Sequence, residues 1–128
     1  MALRDQIHIM VVDDMSTSRG LITQALDSFG VRNVFTAENG KQALQALTAK
    51  PVHLVISDYN MPEMDGLKLL HYLRATPKTK GIGFVLITGR AEQQIIDHGK
   101  KLGMNNYLKK PFEPNDLRNC IEQVVGRL

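Results

Sequence analysis

Five side chains suited to handling phosphate are spread along the chain, and each stands at the end of a short β-rich run. Asp13 and Asp14 follow Ile7–Val12, Asp58 follows Val52–Ser57, Thr88 follows Phe84–Ile87, and Lys110 follows Asn106–Lys109. Carboxylates brought within a few ångströms repel one another, so a site holding three needs raised pKa values or a bound cation. A hard divalent ion is the simpler solution. Mg²⁺ prefers oxygen ligands in an octahedron and keeps waters, so one or two carboxylates and a backbone carbonyl hold it and leave room for a phosphoryl oxygen. A lysine ammonium and a threonine hydroxyl supply the rest of the electrostatic clamp that phosphoryl transfer requires, and Asp58 is then the natural nucleophile. Each residue alone has an ordinary structural role as helix N-cap, turn residue or solvated charge. Their shared position at the ends of successive runs is what argues for a site.

Those ends meet only if the runs are neighbouring strands. Short β-rich segments alternate with longer segments of helical spacing, the pattern of a parallel sheet flanked by helices. The first, third, fourth and fifth strands are the runs named above, and the second is Val34–Ala37. Val52–Ser57 is nearly all apolar, as a strand covered on both faces must be. The helices present Leu21, Ile22, Ala25, Leu26 and Phe29, ended by Gly30; Ala43, Leu44 and Leu47, ended by Pro51; and Leu67, Leu70 and Leu73, opening after Asp65-Gly66. The fourth carries Ile95, Ile96 and Leu102 up to Gly103, and the fifth, entered through Pro114, carries Leu117, Ile121, Val124, Val125 and Leu128. The expectation is an α/β fold of five strand–helix pairs, (βα)₅, a three-layer sandwich around a five-stranded parallel sheet. In such sheets the reactive side chains gather beyond the carboxyl ends of the strands, near the point where chain order reverses.

A length of 128 residues with 43% hydrophobic content fits one core and one domain spanning 1–128, without disulfides or structural metal. The net charge of +3 is spread among interleaved acids and bases and argues against nucleic acid. The single Cys120 reads as a half-buried apolar residue. The N-terminus lacks a signal peptide's apolar run, and no segment reaches the roughly 18 apolar residues of a membrane span. A soluble, cytoplasmic, monomeric protein follows, with no membrane partner. His8, His53, His71 and His98 lack metal-ligand spacing and read as packing residues, as do Met10 in the core and Met61 and Met64 around the Asp58 loop.

The ordered set Val11-Val12-Asp13-Asp14, Asp58-Tyr59-Asn60-Met61-Pro62-Glu63-Met64-Asp65-Gly66, Thr88 and Lys110-Pro111-Phe112 resembles the CheY-like response-regulator receiver domain over essentially the whole chain. The resemblance implies the flavodoxin-like strand order 2-1-3-4-5, which the sequence alone does not yield. It implies a phosphoryl group accepted on Asp58 from a histidine kinase of the CheA type, with Mg²⁺ on Asp14, Asp58 and the Asn60 carbonyl and Asp13 acting through water. Thr88 and Lys110 would contact phosphoryl oxygens, Tyr107 would be the aromatic switch, and Asn60, Gly89 and Arg90 would tune phosphoryl lifetime. A glycine at 89 leaves the phosphoryl group open to water, and an arginine at 90 departs from the acidic residue of the best-known chemotaxis member. A cis Lys110–Pro111 bond is implied as well.

The face expected to switch is formed by the fourth helix, the fifth strand and the fifth helix, and carries Tyr107, Lys109, Arg90, Lys100 and Lys101. With no residues left after the fifth helix, output must pass through a partner: a flagellar motor switch protein, or a phosphatase or other downstream protein, with a phosphate-sink role equally open. The alternative is a small aspartate-nucleophile phosphatase of similar fold. It fits poorly, because Met15 stands where an Asp-x-Asp pattern needs its second acid and there is no room for a cap domain. A flavin or nucleotide binder would need phosphate loops, and neither G-x-G-x-x-G nor a P-loop occurs.

Overall fold

The computed structural model describes residues 2–89 and 92–128. A single helical turn, α1 (Leu3–Gln6), precedes β1 (His8–Val12), α2 (Ser16–Ser28), β2 (Asn33–Ala37), α3 (Gly40–Ala49) and β3 (Leu54–Asp58). The chain continues as α4 (Gly66–Ala75), β4 (Gly83–Thr88), α5 (Gln93–Leu102), β5 (Asn106–Lys109) and α6 (Pro114–Val125). All strand pairs are parallel, and the order is β2-β1-β3-β4-β5. This is the expected (βα)₅ flavodoxin-like sandwich, with α1 added before the first strand. The turn α1 holds no buried residue, so no apolar periodicity announces it.

The helix ends follow local chemistry. Asn39 and Asp65 cap α3 and α4 by accepting from the backbone N–H groups of Gln42 and Lys68 at 2.8 Å each. Pro114 opens α6, where Glu113 and Asp116 form a reciprocal capping box. Gly103 closes α5 at φ 96°, a left-handed conformation that strains any residue with a Cβ.

Period-two alternation splits the strands between two apolar layers. Ile9, Val11, Leu54, Ile56, Val85 and Ile87 face α2 and α6, while Met10, Val12, Val55, Phe84 and Leu86 face α3, α4 and α5. β3 is buried along its whole length, as its apolar sequence demands.

One expected core residue lies outside. Ile22, Ala25 and Leu26 fill the sheet-facing stripe of α2, whereas Leu21, about 100° away around the helix, is 61% exposed. It lines instead an open, mostly apolar groove of about 910 Å³ with Met15, Ala25, Pro111 and Phe112. Cys120 is buried, and burial pushes its thiol up to about 11.

Candidate functional site

β1 and β3 are neighbours, with Val12 opposite Ser57, so Asp13 and Asp14 emerge beside Asp58 at the point where strand order reverses. Asp58 is the last residue of β3 rather than the first beyond it. The Asp13 N–H continues the β1–β2 ladder to the Ala37 carbonyl at 3.1 Å, and the Tyr59 N–H continues the β3–β4 ladder to Ile87 at 2.8 Å. Both acids thus stand on regular strand backbone. The loop after Asp58 folds back on itself: Glu63 adopts φ 66°, and the Gly66 N–H returns to the Tyr59 carbonyl at 2.8 Å. Gly66 is required there, since a Cβ would lie 2.6 Å from the Asp58 carbonyl oxygen and 2.7 Å from Leu86 Cδ1.

Carboxylate oxygens of Asp13, Asp14 and Asp58 lie within 4.8 Å of one another. Asp13 is fully buried, Asp58 nearly so, and Asp14 is exposed. Asp13 Oδ1 accepts from the Met15 N–H at 3.0 Å, while its buried Oδ2 has no hydrogen-bond partner among the described residues. Burial, more than any neighbour, pushes the Asp58 carboxyl above the ordinary aspartate range; Lys110 opposes that shift, and Asp13 and Asp14 add to it.

The counter-charge arrives from β5. The Lys110 N–H donates to the Thr88 carbonyl at 2.9 Å, and the peptide bond to Pro111 is cis. Lys110 Nζ reaches Asp58 Oδ1 at 3.1 Å and Asp13 Oδ2 at 3.9 Å. With all three acids ionised, one ammonium leaves an excess of two negative charges. That excess, the orphaned Asp13 oxygen and an all-oxygen donor set fit a hard divalent cation.

Thr88 ends β4 beside Asp58 and is buried. Tyr107 pairs with Leu86 in register, so it lies on the same sheet face as Thr88, half-buried against the α3–α5 layer. Asn60 is exposed in the Asp58 loop. Gly89 is exposed as well, and a Cβ there would meet no atom within 4 Å. Arg90 lies outside the described residues. On the output face Lys109, Lys100 and Lys101 are exposed.

Two neighbours escaped the sequence reading. Ser18 Oγ accepts from Lys110 Nζ at 3.0 Å, and Arg19 Nη1 donates to the Asp13 carbonyl at 2.8 Å while Nη2 lies 3.9 Å from Glu38. The run Ser16-Thr17-Ser18-Arg19 has the polar composition of any helix start, so nothing in it marks these two.

The profile of the response regulator receiver domain matches residues 9–122, which is most of the chain. The chain belongs to the response regulator receiver family. A probable chemotaxis protein CheY of Rhizobium etli is 38% identical over 128 residues, covering 100% of this chain and 99% of that protein. Among solved structures, the chemotaxis protein CheY4 of Vibrio cholerae superposes with a TM-score of 0.86 at 28% identity, covering 92% of this chain and 98% of that one. The receiver domain of a Pseudomonas aeruginosa sensor histidine kinase, solved with a magnesium ion coordinated in its active site cleft, gives 0.84 at 26% identity, covering 94% and 98%. In this receiver domain the acidic cluster of Asp13, Asp14 and Asp58 is therefore suited to Mg²⁺-dependent phosphoacceptor signalling. Among the described residues no helix is long and apolar enough to cross a membrane.

Proposed function

We propose that residues 1–128 act as a single receiver unit that takes a phosphoryl group on Asp58 from a CheA-type histidine kinase in the cytoplasm. The observation that carries this reading is the Asp58 carboxylate, buried among acids yet 3.1 Å from the Lys110 ammonium. A carboxylate oxygen of Asp58 attacks phosphorus as the P–N bond of the donor phosphohistidine breaks. The electron pair returns to the imidazole nitrogen, and an acyl phosphate is left on Asp58. Lys110 neutralises one developing charge on the phosphoryl oxygens and Thr88 donates its hydroxyl to another. Asp13, Asp14, Asp58 and the Asn60 carbonyl would hold Mg²⁺, which when bound supplies Lewis-acid charge to the phosphoryl group.

Transfer leaves a dianionic phosphate where a carboxylate stood, which draws Thr88 and Lys110 inward. Tyr107 shares a sheet face with Thr88 and carries that displacement to the surface of α5, β5 and α6, where a partner reads it. Asn60, Gly89 and Arg90 set how readily water reaches the acyl phosphate. The chemotaxis proteins among the relatives support a chemotaxis role, as motor-switch ligand or as phosphate sink. The phosphatase alternative loses ground, because Met15, at the position of its second acid, is 60% exposed and faces the groove.

Incubation with acetyl phosphate and Mg²⁺ tests the reading by intact mass. The wild type gains one phosphoryl group and Asp58→Asn gains none, and equal incorporation would rule the assignment out. Capture of motor and kinase components by the phosphorylated form, read with its half-life, separates the two roles. A short half-life without motor binding favours the sink.

A further inference from the structure

Lys110 carries its charge on a flexible four-carbon stem, and its side chain is 29% exposed. Its backbone is tied to β4 through the Thr88 carbonyl, but that bond does not fix the ammonium. Two sides of the ammonium are anionic, with Asp58 Oδ1 at 3.1 Å and Asp13 Oδ2 at 3.9 Å. Another side opens on the groove between α2 and the segment from Lys110 to Pro114, where water competes for it. Ser18 lies on that side. Its hydroxyl oxygen, half-buried in the first turn of α2, accepts from Lys110 Nζ at 3.0 Å.

We infer that Ser18 is a positioning residue for Lys110, holding the ammonium at the carboxylates so that it meets the incoming phosphoryl oxygen without first leaving water. The inference rests on the proposed role of Asp58 as acceptor. A neutral hydroxyl suits the task better than an acid, because it orients the ammonium without neutralising it. Contact with a phosphoryl oxygen needs one N–H of the three, and the Ser18 bond uses another, so both are made at once. α2 thereby contributes to the site from a position 92 residues away in sequence.

Ser18→Ala is expected to lower the rate constant for phosphorylation at saturating acetyl phosphate about ten-fold, the effect of losing one hydrogen bond to a charged group. The half-saturating donor concentration and the Mg²⁺ affinity should stay within about two-fold. Ser18→Thr keeps the hydroxyl and restores most of the rate. In a Lys110→Ala background, Ser18→Ala has no further effect, because its action passes through the missing ammonium. A wild-type rate in Ser18→Ala, no rescue by threonine in a folded protein, or an undiminished effect without Lys110 each overturns the inference. A readout free of phosphoryl chemistry separates this inference from the acceptor assignment. In metal-free protein the Lys110 Nζ protons, followed by NMR, exchange with water faster in Ser18→Ala than in wild type. Unchanged exchange defeats the anchoring role even where Asp58 is shown to be the acceptor, and absent wild-type labelling with faster exchange defeats the acceptor assignment while the anchoring holds.

Discussion

Replacing Asp58 by Asn should stabilise the metal-free protein at neutral pH. At an effective dielectric of ~20, a like-charge pair at 4.8 Å costs about 3.5 kcal/mol and an opposite pair at 3.1 Å returns about 5 kcal/mol. Asp58 faces two acids and one lysine, and the attraction and hydrogen bond of Lys110 offset the repulsion, so burial of the carboxylate decides the sign. Exposure of Asp14 and partial exposure of Lys110 screen both terms, and the Asn oxygen still accepts from Lys110. The expected gain is about 1–2 kcal/mol, or roughly 4–8 °C in the thermal midpoint at this size. The pH dependence has a definite sign. Because the folded carboxyl titrates above the ordinary aspartate range, the folded state holds the proton more tightly than the unfolded one. The wild type therefore matches the variant at low pH and loses stability relative to it as pH rises through the raised value. Mg²⁺ at ten times its Kd adds about 1.4 kcal/mol to the wild type and closes the gap, while the variant, lacking one ligand, gains less. Thermal melts in chelator and in Mg²⁺ across the acid range measure all three effects. A variant that melts at or below wild type in chelator at pH 7, or an equal Mg²⁺ gain in both proteins, would refute the electrostatic reasoning.

Gly66→Ala should cost about 1–3 kcal/mol in urea unfolding, because its methyl would press on the Asp58 carbonyl and Leu86; a neutral result would mean that α4 can retreat from β3. Arg74 donates to the carbonyls of Lys80, Ile82 and Gly103 and to Asn105 Oδ1, so Arg74→Lys should cost about 2–3 kcal/mol by the same measurement. Cys120 should resist thiol reagents at pH 8 until denaturant is added, since burial holds its thiol near 11; prompt labelling of the native protein would contradict that.

The candidate site was legible to the extent that buried parallel strands advertise their ends. Runs such as Leu54–Ser57 tolerate no charge, so the first acid or amine after each run marks the rim where side chains meet. Strand order was not legible in this way, because every strand of a parallel sheet reads alike, and it came from the family resemblance. Ser18 was invisible for a related reason: its partner lies in a different element, and no local periodicity links the two. Leu21 shows the limit of helical spacing. An apolar stripe wider than the sheet contact leaves its margin outside, here lining an open groove together with Pro111 and Phe112. Arg74 stands in the last turn of α4, and its guanidinium joins four backbone and side-chain acceptors that only the folded loops bring together.

The glycine that opens α4 leaves no clearance between that helix and the peptide carrying Asp58. A modified aspartate therefore meets the start of α4 on that side, where even a Cβ at position 66 would lie 2.6 Å from the Asp58 carbonyl oxygen. Added bulk at position 58 finds its room on the side of Lys110, whose side chain is 29% exposed. The close fit of one junction thus leaves the lysine edge as a side with room to give.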